Sequence, residues 1–235
     1  MMAEESYGER YAAWKGWEPA QFGTCQASTA RQFSAELARL PLPARPLHVL
    51  DVGFGNGAFI GWARKAGHRC DGVELNPVLR ELAQRNGVST FDDLAAVPDA
   101  TYDLVTAFDV CEHIDVLDLV PFFVDARCRL TPQGVMLVRM PNGDSPLSGI
   151  YQRGDITHRT AIGSGMLRQI ADQADMRLLF VGAPARAGDG LRQQVRDFGR
   201  QCVEYVIGRL YYDGQIVTFD PNLVAAMQRR ESVAA

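Results

Sequence analysis

The chain has 235 residues, of which 47% are hydrophobic, and 24 basic against 28 acidic residues give a net charge of −4. This length fits one α/β domain with additions, and the apolar content is enough for a sizeable core. The charges are intermixed, and no basic stripe that could follow a nucleic-acid backbone occurs, so a DNA partner is not expected. No apolar run approaches the roughly 18 residues of a membrane span.

Five cysteines stand at positions 25, 70, 111, 128 and 202, without a C-x-x-C pair or the spacing of zinc ligands. An odd and scattered set predicts unpaired, buried, apolar thiols in a reducing compartment. The charged N-terminal segment has no apolar stretch of the kind that a secretory signal needs. These features together predict a soluble, cytoplasmic protein.

Short apolar runs alternate with amphipathic segments, which is the pattern of successive β-α-β units. The predicted strands cover 47–53, 68–75, 88–91, 102–110, 134–141, 176–182 and, last, 221–228. The predicted helices cover 55–67, 76–87, 118–130 and 164–174, with Asp118 and Ser164 as N-caps and Pro121 in a first turn. The turn at 131–134 is expected to end the third of these helices.

The predicted organisation has an N-terminal extension and a main domain, and the main domain contains one long irregular segment. Residues 142–163, here called the excursion, are rich in Gly, Pro, Asp and Ser, and an irregular segment of that length is usually functional. Residues 1–44 form a helical, aromatic-rich extension that packs on the sheet or, through Tyr11 and Trp14, covers a ligand as a lid. Residues 45–235 form the main domain, with a long helix inserted before the last strand.

That long helix has apolar residues at 191, 195, 198, 202, 206 and 210, the spacing of an amphipathic helix of about five turns. We expect it to cover the core, and the alternatives are a wall of the acceptor site or the face of a homodimer. The fold class that follows is a Rossmann-like, seven-stranded, mostly parallel sheet flanked by helices, with an antiparallel last strand.

The central chemical signal is the segment V-L-D-V-G-F-G-N-G, where a predicted strand meets a predicted helix. It contains Asp51 and the glycines Gly53, Gly55 and Gly57. Glycines at such a junction let the backbone turn tightly and approach a ligand closely. The following helix directs its N-terminal N–H groups toward the same place. The sequence therefore predicts a ligand site at the end of the first strand.

At these residues the chain resembles the class I methyltransferases, and most of all the broad group that contains the ubiquinone-biosynthesis-type O-methyltransferases. The likeness runs from about Leu47 to Gly182. It rests on D-V-G-F-G-N-G, V-E-L-N-P, Y-D-L-V-T-A-F-D-V-C-E-H-I and L-T-P-Q-G-V-M-L-V-R-M-P-N, in that order. It implies S-adenosylmethionine as the cofactor and S-adenosylhomocysteine as the product.

The resemblance also implies which residues hold the cofactor. Gly53, Gly55 and Gly57 would line its methionine moiety, and Asp51 would lie near the ammonium group. Glu74, at the end of the second strand, would accept hydrogen bonds from the ribose hydroxyls.

Further along the chain, the same likeness implies contacts to the base and to the reacting group. Leu75 would pack on the adenine, and Asp93 and Leu94 would flank the ring and its exocyclic amine. Phe108 and Asp109 would face the methionine and the methyl group. For the three apolar residues of this set, packing in the core is the alternative interpretation.

A dinucleotide-binding oxidoreductase is a rival hypothesis, because Gly53, Gly55 and Ala58 also satisfy the G-x-G-x-x-G/A fingerprint of NAD(P) sites. An acidic residue two positions before the loop suits an ammonium group and would repel a pyrophosphate. The Y-x-x-x-K pair of short-chain dehydrogenases occurs at Tyr11 and Lys15, before the glycine loop, whereas in that family it follows the later strands.

Two pairs of residues are candidates for the acceptor site. Glu112 and His113 follow the fourth strand, where His113 could orient the acceptor or act as a base, or where the pair could simply shape the loop. In the excursion, Asp155 precedes His158 by three residues and could fix its tautomer and raise its basicity. The alternative there is a surface loop whose polar groups bond to the backbone.

The predicted reaction is methyl transfer to a hydroxyl oxygen of a small or carbohydrate-like acceptor. The K-G-W and P-N-L-V segments resemble methyltransferases of bacterial polysaccharide gene clusters, and a quinone-like acceptor is an alternative. A non-catalytic protein that binds S-adenosylmethionine for regulation is a third hypothesis. No metal site is predicted, since D-x-D and H-E-x-x-H are absent, although Glu112, His113 and Asp155 could together hold one cation.

Overall fold

The computed structural model describes residues 14–186, 190–214 and 218–230, with the side chains of 191–194 left out of that description. Helices and strands alternate over most of this length. The helices are α1 (Ala27–Leu37), α2 (Ala58–Lys65), α3 (Pro77–Arg85), α4 (Val116–Arg129), α5 (Gly149–Arg153), α6 (Ser164–Gln173) and α7 (Leu191–Tyr211). The strands are β1 (His48–Val52), β2 (Arg69–Val73), β3 (Ser89–Phe91), β4 (Tyr102–Phe108), β5 (Leu130–Pro141), β6 (Met176–Gly182) and β7 (Asn222–Arg229).

The strands of the described chain form one seven-stranded sheet in the order β3-β2-β1-β4-β5-β7-β6. The first five strands pair in parallel, and β7 runs antiparallel to both β5 and β6. The predicted fold class is therefore confirmed. The strand order reverses between β1 and β4, and open α/β sheets bind ligands beside the carboxyl ends of the strands at such a point.

Two apolar clusters lie on opposite faces of this sheet and hold the helices to it. One of them contains Phe33 of α1, whose ring packs edge-on against Phe59 at a centroid distance of 5.0 Å and stacks on Phe108 at 5.5 Å. The described part of the N-terminal extension is therefore packed on the same sheet face as α2. This packing brings the extension to the carboxyl ends of β1 and β4.

Helix α4 begins earlier and ends earlier than the sequence predicted. It starts at Val116 and not after Asp118, so Pro121 lies inside the helix, and it ends at Arg129, directly before β5. The segment 131–134, predicted as a turn, belongs to β5. The extra first turn carries the exposed residues Val116 and Leu117, so the apolar period that marks the buried face could not reveal it.

Helix α6 is also capped differently from the prediction. Ser164 is its first residue and not its cap. The carboxylate of Asp144 accepts a hydrogen bond from the backbone N–H of Ser164 at 2.7 Å, which satisfies one of the unpaired donors of the first turn. Because the capping side chain stands 20 residues earlier in the chain, no local motif could predict it.

Helix α7 exists as predicted, but the prediction that it covers the core is wrong for its described side chains. Val195, Phe198 and Leu210 expose 65%, 69% and 72% of their surface. Cys202, on the same helix, is also exposed, whereas Cys70 and Cys111 are buried thiols as predicted. No helix in the described ranges has both the length and the apolar character needed to cross a bilayer.

Candidate active site

The glycine loop after β1 has the backbone geometry that its sequence predicts. Gly53, Gly55 and Gly57 have φ values of 67°, 52° and 71°, in the left-handed region that favours glycine. A Cβ on Gly55 would lie 2.7 Å from the ring of Trp17, and one on Gly57 would lie 2.6 Å from the ring of Phe22. The loop thus lies directly under aromatic residues of the N-terminal extension.

The residues of the extension that contact the glycine loop differ from the two that were predicted to form a lid. Of the two residues proposed to cover a ligand, Tyr11 lies outside the described residues and Trp14 is 60% exposed. Trp17 and Phe22 are the described aromatic residues that touch the glycine loop. A lid role of the extension therefore stays a prediction, and Trp17 is the residue through which it is best tested.

Asp51, the last residue but one of β1, carries a buried carboxyl group. The hydroxyl of Thr106 donates to its Oδ1 at 2.7 Å. Burial, and to a smaller extent the charge of Glu74, raise the pKa of Asp51, Thr106 and Arg139 lower it, and the net result is a pKa of about 7. A cation at this place would favour the ionised carboxylate. The environment therefore fits the ammonium group of S-adenosylmethionine.

This raised pKa makes cofactor affinity depend on pH. Because the folded pKa of Asp51 lies above the ordinary value of about 3.9, its ionisation destabilises the folded state as pH rises through about 7. An ammonium group binds the ionised form better. We therefore expect affinity for S-adenosylhomocysteine to rise with pH up to about 7 and then to level off.

Calorimetric titration over a pH series measures this dependence, and Asp51→Asn is the matched control because it keeps the shape and removes the titration. Asp51→Asn should bind more weakly at pH 8 and show a flatter profile. Wild-type affinity that stays constant across the series would contradict the placement of Asp51 beside the ammonium group.

Glu74 connects the glycine loop to the start of α3. Its Oε2 accepts from the backbone N–H of Gly55 at 3.1 Å, and its Oε1 accepts from that of Asn76 at 3.0 Å. Each carboxylate oxygen can accept a second hydrogen bond, so both can still receive a ribose hydroxyl. The next residue, Leu75, is 80% exposed at the same strand end, so core packing does not explain it.

Glu74→Ala should weaken S-adenosylhomocysteine binding by about 2–3 kcal/mol, because charge-assisted hydrogen bonds to the ribose would be lost. Glu81→Ala is the control, since Glu81 lies on α3 and makes an exposed ion pair with Arg85. Calorimetry compares the affinities, and thermal melting checks the fold. Equal affinity of Glu74→Ala and the wild type would show that the second strand end does not face the ribose.

The other residues that were predicted to contact the cofactor also have contacts within the protein. Asp93 accepts from the backbone N–H of Ala95 at 3.0 Å, and Leu94 is buried in the core. Phe108 lies under the guanidinium of Arg139 at 5.1 Å from the ring centroid. Asp109, with φ of 58°, forms an ion pair with the same arginine. Their contacts to a cofactor stay predictions.

The two candidate histidines meet in space. His113 lies in a short 3₁₀ turn after β4, and His158 lies in the excursion. Their ring centroids are 4.8 Å apart, and the rings are nearly perpendicular. The backbone N–H groups of Arg159 and Thr160 donate to the carbonyl oxygen of Glu112 at 2.7 and 3.1 Å, which holds the excursion against the end of β4.

Hydrogen bonds fix the tautomers of both rings. Nδ1 of His158 lies 3.1 Å from the carbonyl oxygen of Gln152, which can only accept, so this nitrogen carries the proton. The hydroxyl of Thr157 donates to Asp155 and therefore accepts from Nδ1 of His113, at 2.9 Å. In the neutral rings, Nε2 is then the basic nitrogen.

Asp155 therefore has a different partner from the one predicted. Its Oδ1 receives the hydroxyl and the backbone N–H of Thr157, and its Oδ2 lies 3.3 Å from Nζ of Lys15. Because Thr157 points to His113, Asp155 orients His113 and not His158. The contact to Lys15 also ties the N-terminal extension to the excursion.

The cluster has unusual electrostatics. Burial, and then the neighbouring His158, lower the pKa of His113, which favours the neutral ring. Burial, and then the charge of Asp109, raise the pKa of Glu112 to about 8. Functional sites are the usual place for such perturbed groups.

A cavity of about 430 Å³ opens beside His158. The polar residues in its lining include Ser145, Ser148, Arg153, Arg159 and Thr160. Hydroxyl and guanidinium groups of this kind bind acceptors that carry hydroxyls or negative charges.

Sequence reasoning missed Thr157, Arg153 and the carbonyl of Gln152. The turn in which Asp155 accepts from the N–H of Thr157 at 3.0 Å is a local motif that the sequence could have revealed. The contact between Thr157 and His113 joins positions 44 residues apart and has no local signal.

The chain is similar to proteins of one known family. The profile of a family described as "Methyltransferase domain" matches residues 25–203. A trans-aconitate 2-methyltransferase of Streptomyces coelicolor is 28% identical over 181 residues, which cover 71% of this chain and 54% of that protein. The chain thus spans about half the length of the curated relative that it matches.

Solved structures share the fold at low sequence identity. A SAM-dependent methyltransferase from Archaeoglobus fulgidus is 17% identical, with a TM-score of 0.59 over 97% of this chain and 95% of that chain. A TehB-like SAM-dependent methyltransferase from Corynebacterium glutamicum is 16% identical, with a TM-score of 0.60 over 96% and 99%.

Proposed function

The chain belongs to the methyltransferase-domain family and uses S-adenosylmethionine, and from this premise we propose that it methylates an oxygen atom of a small polar acceptor bound beside His113 and His158. The observation that supports the proposal is the meeting of two oriented imidazoles at the carboxyl end of β4. Family membership also favours a methyltransferase over the rival NAD(P)-dependent oxidoreductase.

The residues around β1 and β2 fit the cofactor. The glycine loop would lie along its methionine moiety, Asp51 would face the ammonium group and Glu74 would receive the ribose hydroxyls. When bound, the cofactor supplies a methyl group on a sulfonium, which is already a good electrophile. The protein therefore has to position the acceptor, exclude water and handle one proton, and positioning alone can contribute on the order of 7–11 kcal/mol.

His158 would accept that proton. Its Nδ1–H donates to the carbonyl of Gln152, and this bond would stabilise the ring when Nε2 takes up the proton of the acceptor hydroxyl. His113, held through Thr157 and Asp155, would orient the acceptor oxygen. Lys15 and the extension would help to close the site over both.

The acceptor would occupy the cavity beside His158. The serine and threonine hydroxyls in its lining already donate to backbone carbonyls and could only accept, so they would receive hydrogen bonds from a hydroxylated, carbohydrate-like molecule. A carboxylate oxygen is the second candidate, because Arg153 and Arg159 line the same cavity and the relative from Streptomyces coelicolor is a trans-aconitate methyltransferase.

Release of S-adenosylhomocysteine in the presence of hydroxylated and carboxylated acceptors tests the proposal. The methylated position follows from transfer of a ¹³C-labelled methyl group and from the stability of the product, because methyl esters hydrolyse in mild base and methyl ethers do not. Either product with an oxygen-bound methyl supports the proposal. A protein that binds S-adenosylhomocysteine but shows no transfer to oxygen in the whole panel would instead favour a regulatory role.

A further inference from the structure

We infer that Glu112, His113 and His158 form a binding site for a first-row divalent metal ion. One ligand atom from each of the three side chains lies within 4.8 Å of the other two. Two imidazoles and a carboxylate are a common ligand set for such ions, and the separation allows small side-chain movements to close it around one cation.

Both rings are oriented as metal-binding histidines usually are. A histidine that binds a metal through one nitrogen typically donates its other N–H to a carbonyl, a carboxylate or a similar acceptor. His158 donates through Nδ1 to the Gln152 carbonyl, and His113 donates through Nδ1 to Thr157, which is itself held by Asp155. In each neutral ring, Nε2 then carries the lone pair with which an imidazole coordinates a metal ion.

Glu112 provides the independent observation. Its side chain is only 2% exposed, and its Oε2 has no hydrogen-bond partner among the described residues. Its Oε1 lies 3.9 Å from Nε2 of His158. A buried carboxylate oxygen without a partner is unfavourable unless a proton or a cation joins it. The buried carboxyl group of Glu112 therefore offers a ligand atom to the cluster.

The ligand set differs from the one considered from the sequence. Asp155, which the sequence offered as a ligand, is used by Thr157 and Lys15, and His158 takes its place. Asp109 is not part of the set because it pairs with Arg139. Two nitrogen ligands favour Zn²⁺ or Co²⁺ over Mg²⁺, which prefers oxygen.

Three protein ligands leave at least one coordination position open. Resting on the proposed function, this position would receive the acceptor oxygen from the adjoining cavity. With the ion bound, Nε2 of His158 is a ligand and cannot take the acceptor proton. The cation would favour the ionised acceptor oxygen, whose proton would pass to solvent, and His158 would act as the base only in the ion-free protein. Metal binding as such does not depend on the identity of the acceptor.

The test uses the full chain freed of metal with a chelator. Co²⁺ is titrated while its visible absorption is recorded, and Zn²⁺ binding is measured by calorimetry. We expect one ion per chain, with affinity lowered about 100-fold or more in Glu112→Gln, His113→Gln and His158→Gln. Thr157→Val, which removes only the orienting hydroxyl, should lower affinity about 10-fold, as loss of such a partner typically does.

His68→Gln is the matched control, because His68 accepts from the backbone N–H of Leu47 at the other end of β1 and should leave the affinity unchanged. Circular dichroism identifies any variant that fails to fold. If a variant does not fold, the anomalous signal of Zn²⁺ in crystals of the wild type shows whether the ion lies between the three side chains. No stoichiometric binding, equal losses in His68→Gln, or an ion bound elsewhere would overturn the inference. S-adenosylhomocysteine affinity and methyl transfer are measured separately from metal binding. A failure of the proposed function can therefore be told apart from a failure of the metal inference.

Discussion

His158→Ala is expected to lower the turnover number by about two to four orders of magnitude for an acceptor hydroxyl of ordinary acidity. The tautomer set by Gln152 leaves Nε2 as the group that takes the proton, and removal of the ring leaves the hydroxyl without a base. Affinity for S-adenosylhomocysteine should be nearly unchanged, because Asp51, Glu74 and the glycine loop remain. Single-turnover kinetics measures the transfer step, and calorimetry measures the affinity.

A second acceptor and a second variant serve as controls for this prediction. An acidic phenol as acceptor should reduce the effect, because it can ionise without a base. His113→Ala serves as the parallel variant, since the two rings lie 4.8 Å apart. If His113→Ala lost turnover while His158→Ala kept it, the base would lie at the end of β4 and the assignment of His158 would be wrong.

Gly55→Val is expected to abolish cofactor binding, which in a titration means a loss of more than about 100-fold, or about 3 kcal/mol. At φ of 52° a branched side chain is strained, and its Cβ would lie 2.7 Å from Trp17, in the space between the loop and the extension. The loop would have to move away from the position in which its backbone can approach the cofactor.

Gly67→Val is the matched control for this change. Gly67 has φ of 89°, so the backbone strain is similar, but a Cβ there would meet no atom within 4 Å. Both variants should melt at lower temperature, and only Gly55→Val should lose S-adenosylhomocysteine. Equal losses in the two variants, or normal binding by Gly55→Val, would show that the loop does not contact the cofactor.

The sheet could be predicted from the sequence because each strand is marked by a signal in its own local sequence. Buried parallel strands such as β1 and β4 are short, continuous apolar runs, and the glycines after β1 mark the junction with α2. The start of α4, the cap of α6 by Asp144 and the exposure of α7 depend on contacts between distant parts of the chain. An apolar period shows which face of α7 can be covered, but it does not show what covers it.

The same difference between local signals and long-range contacts applies to the candidate site. Asp51 and the glycine loop are contiguous in sequence, so their proximity could be predicted. The meeting of His113 and His158 depends on backbone hydrogen bonds from residues 159 and 160 to Glu112, and nothing in the local sequence of either histidine specifies them. The sequence therefore indicates that Asp155 pairs with His158, the nearer histidine, although Thr157 connects it to His113.

A crystal structure of the complex with S-adenosylhomocysteine tests the central claim most directly. The account predicts the sulfur above the glycine loop, with the position of the departed methyl group within about 7 Å of Nε2 of His158, which leaves room for one acceptor oxygen between them. The ammonium group should lie beside Asp51, and the ribose hydroxyls beside Glu74. A cofactor whose sulfur faces away from His113 and His158, or an excursion that closes at the opposite end of the sheet, would contradict the account.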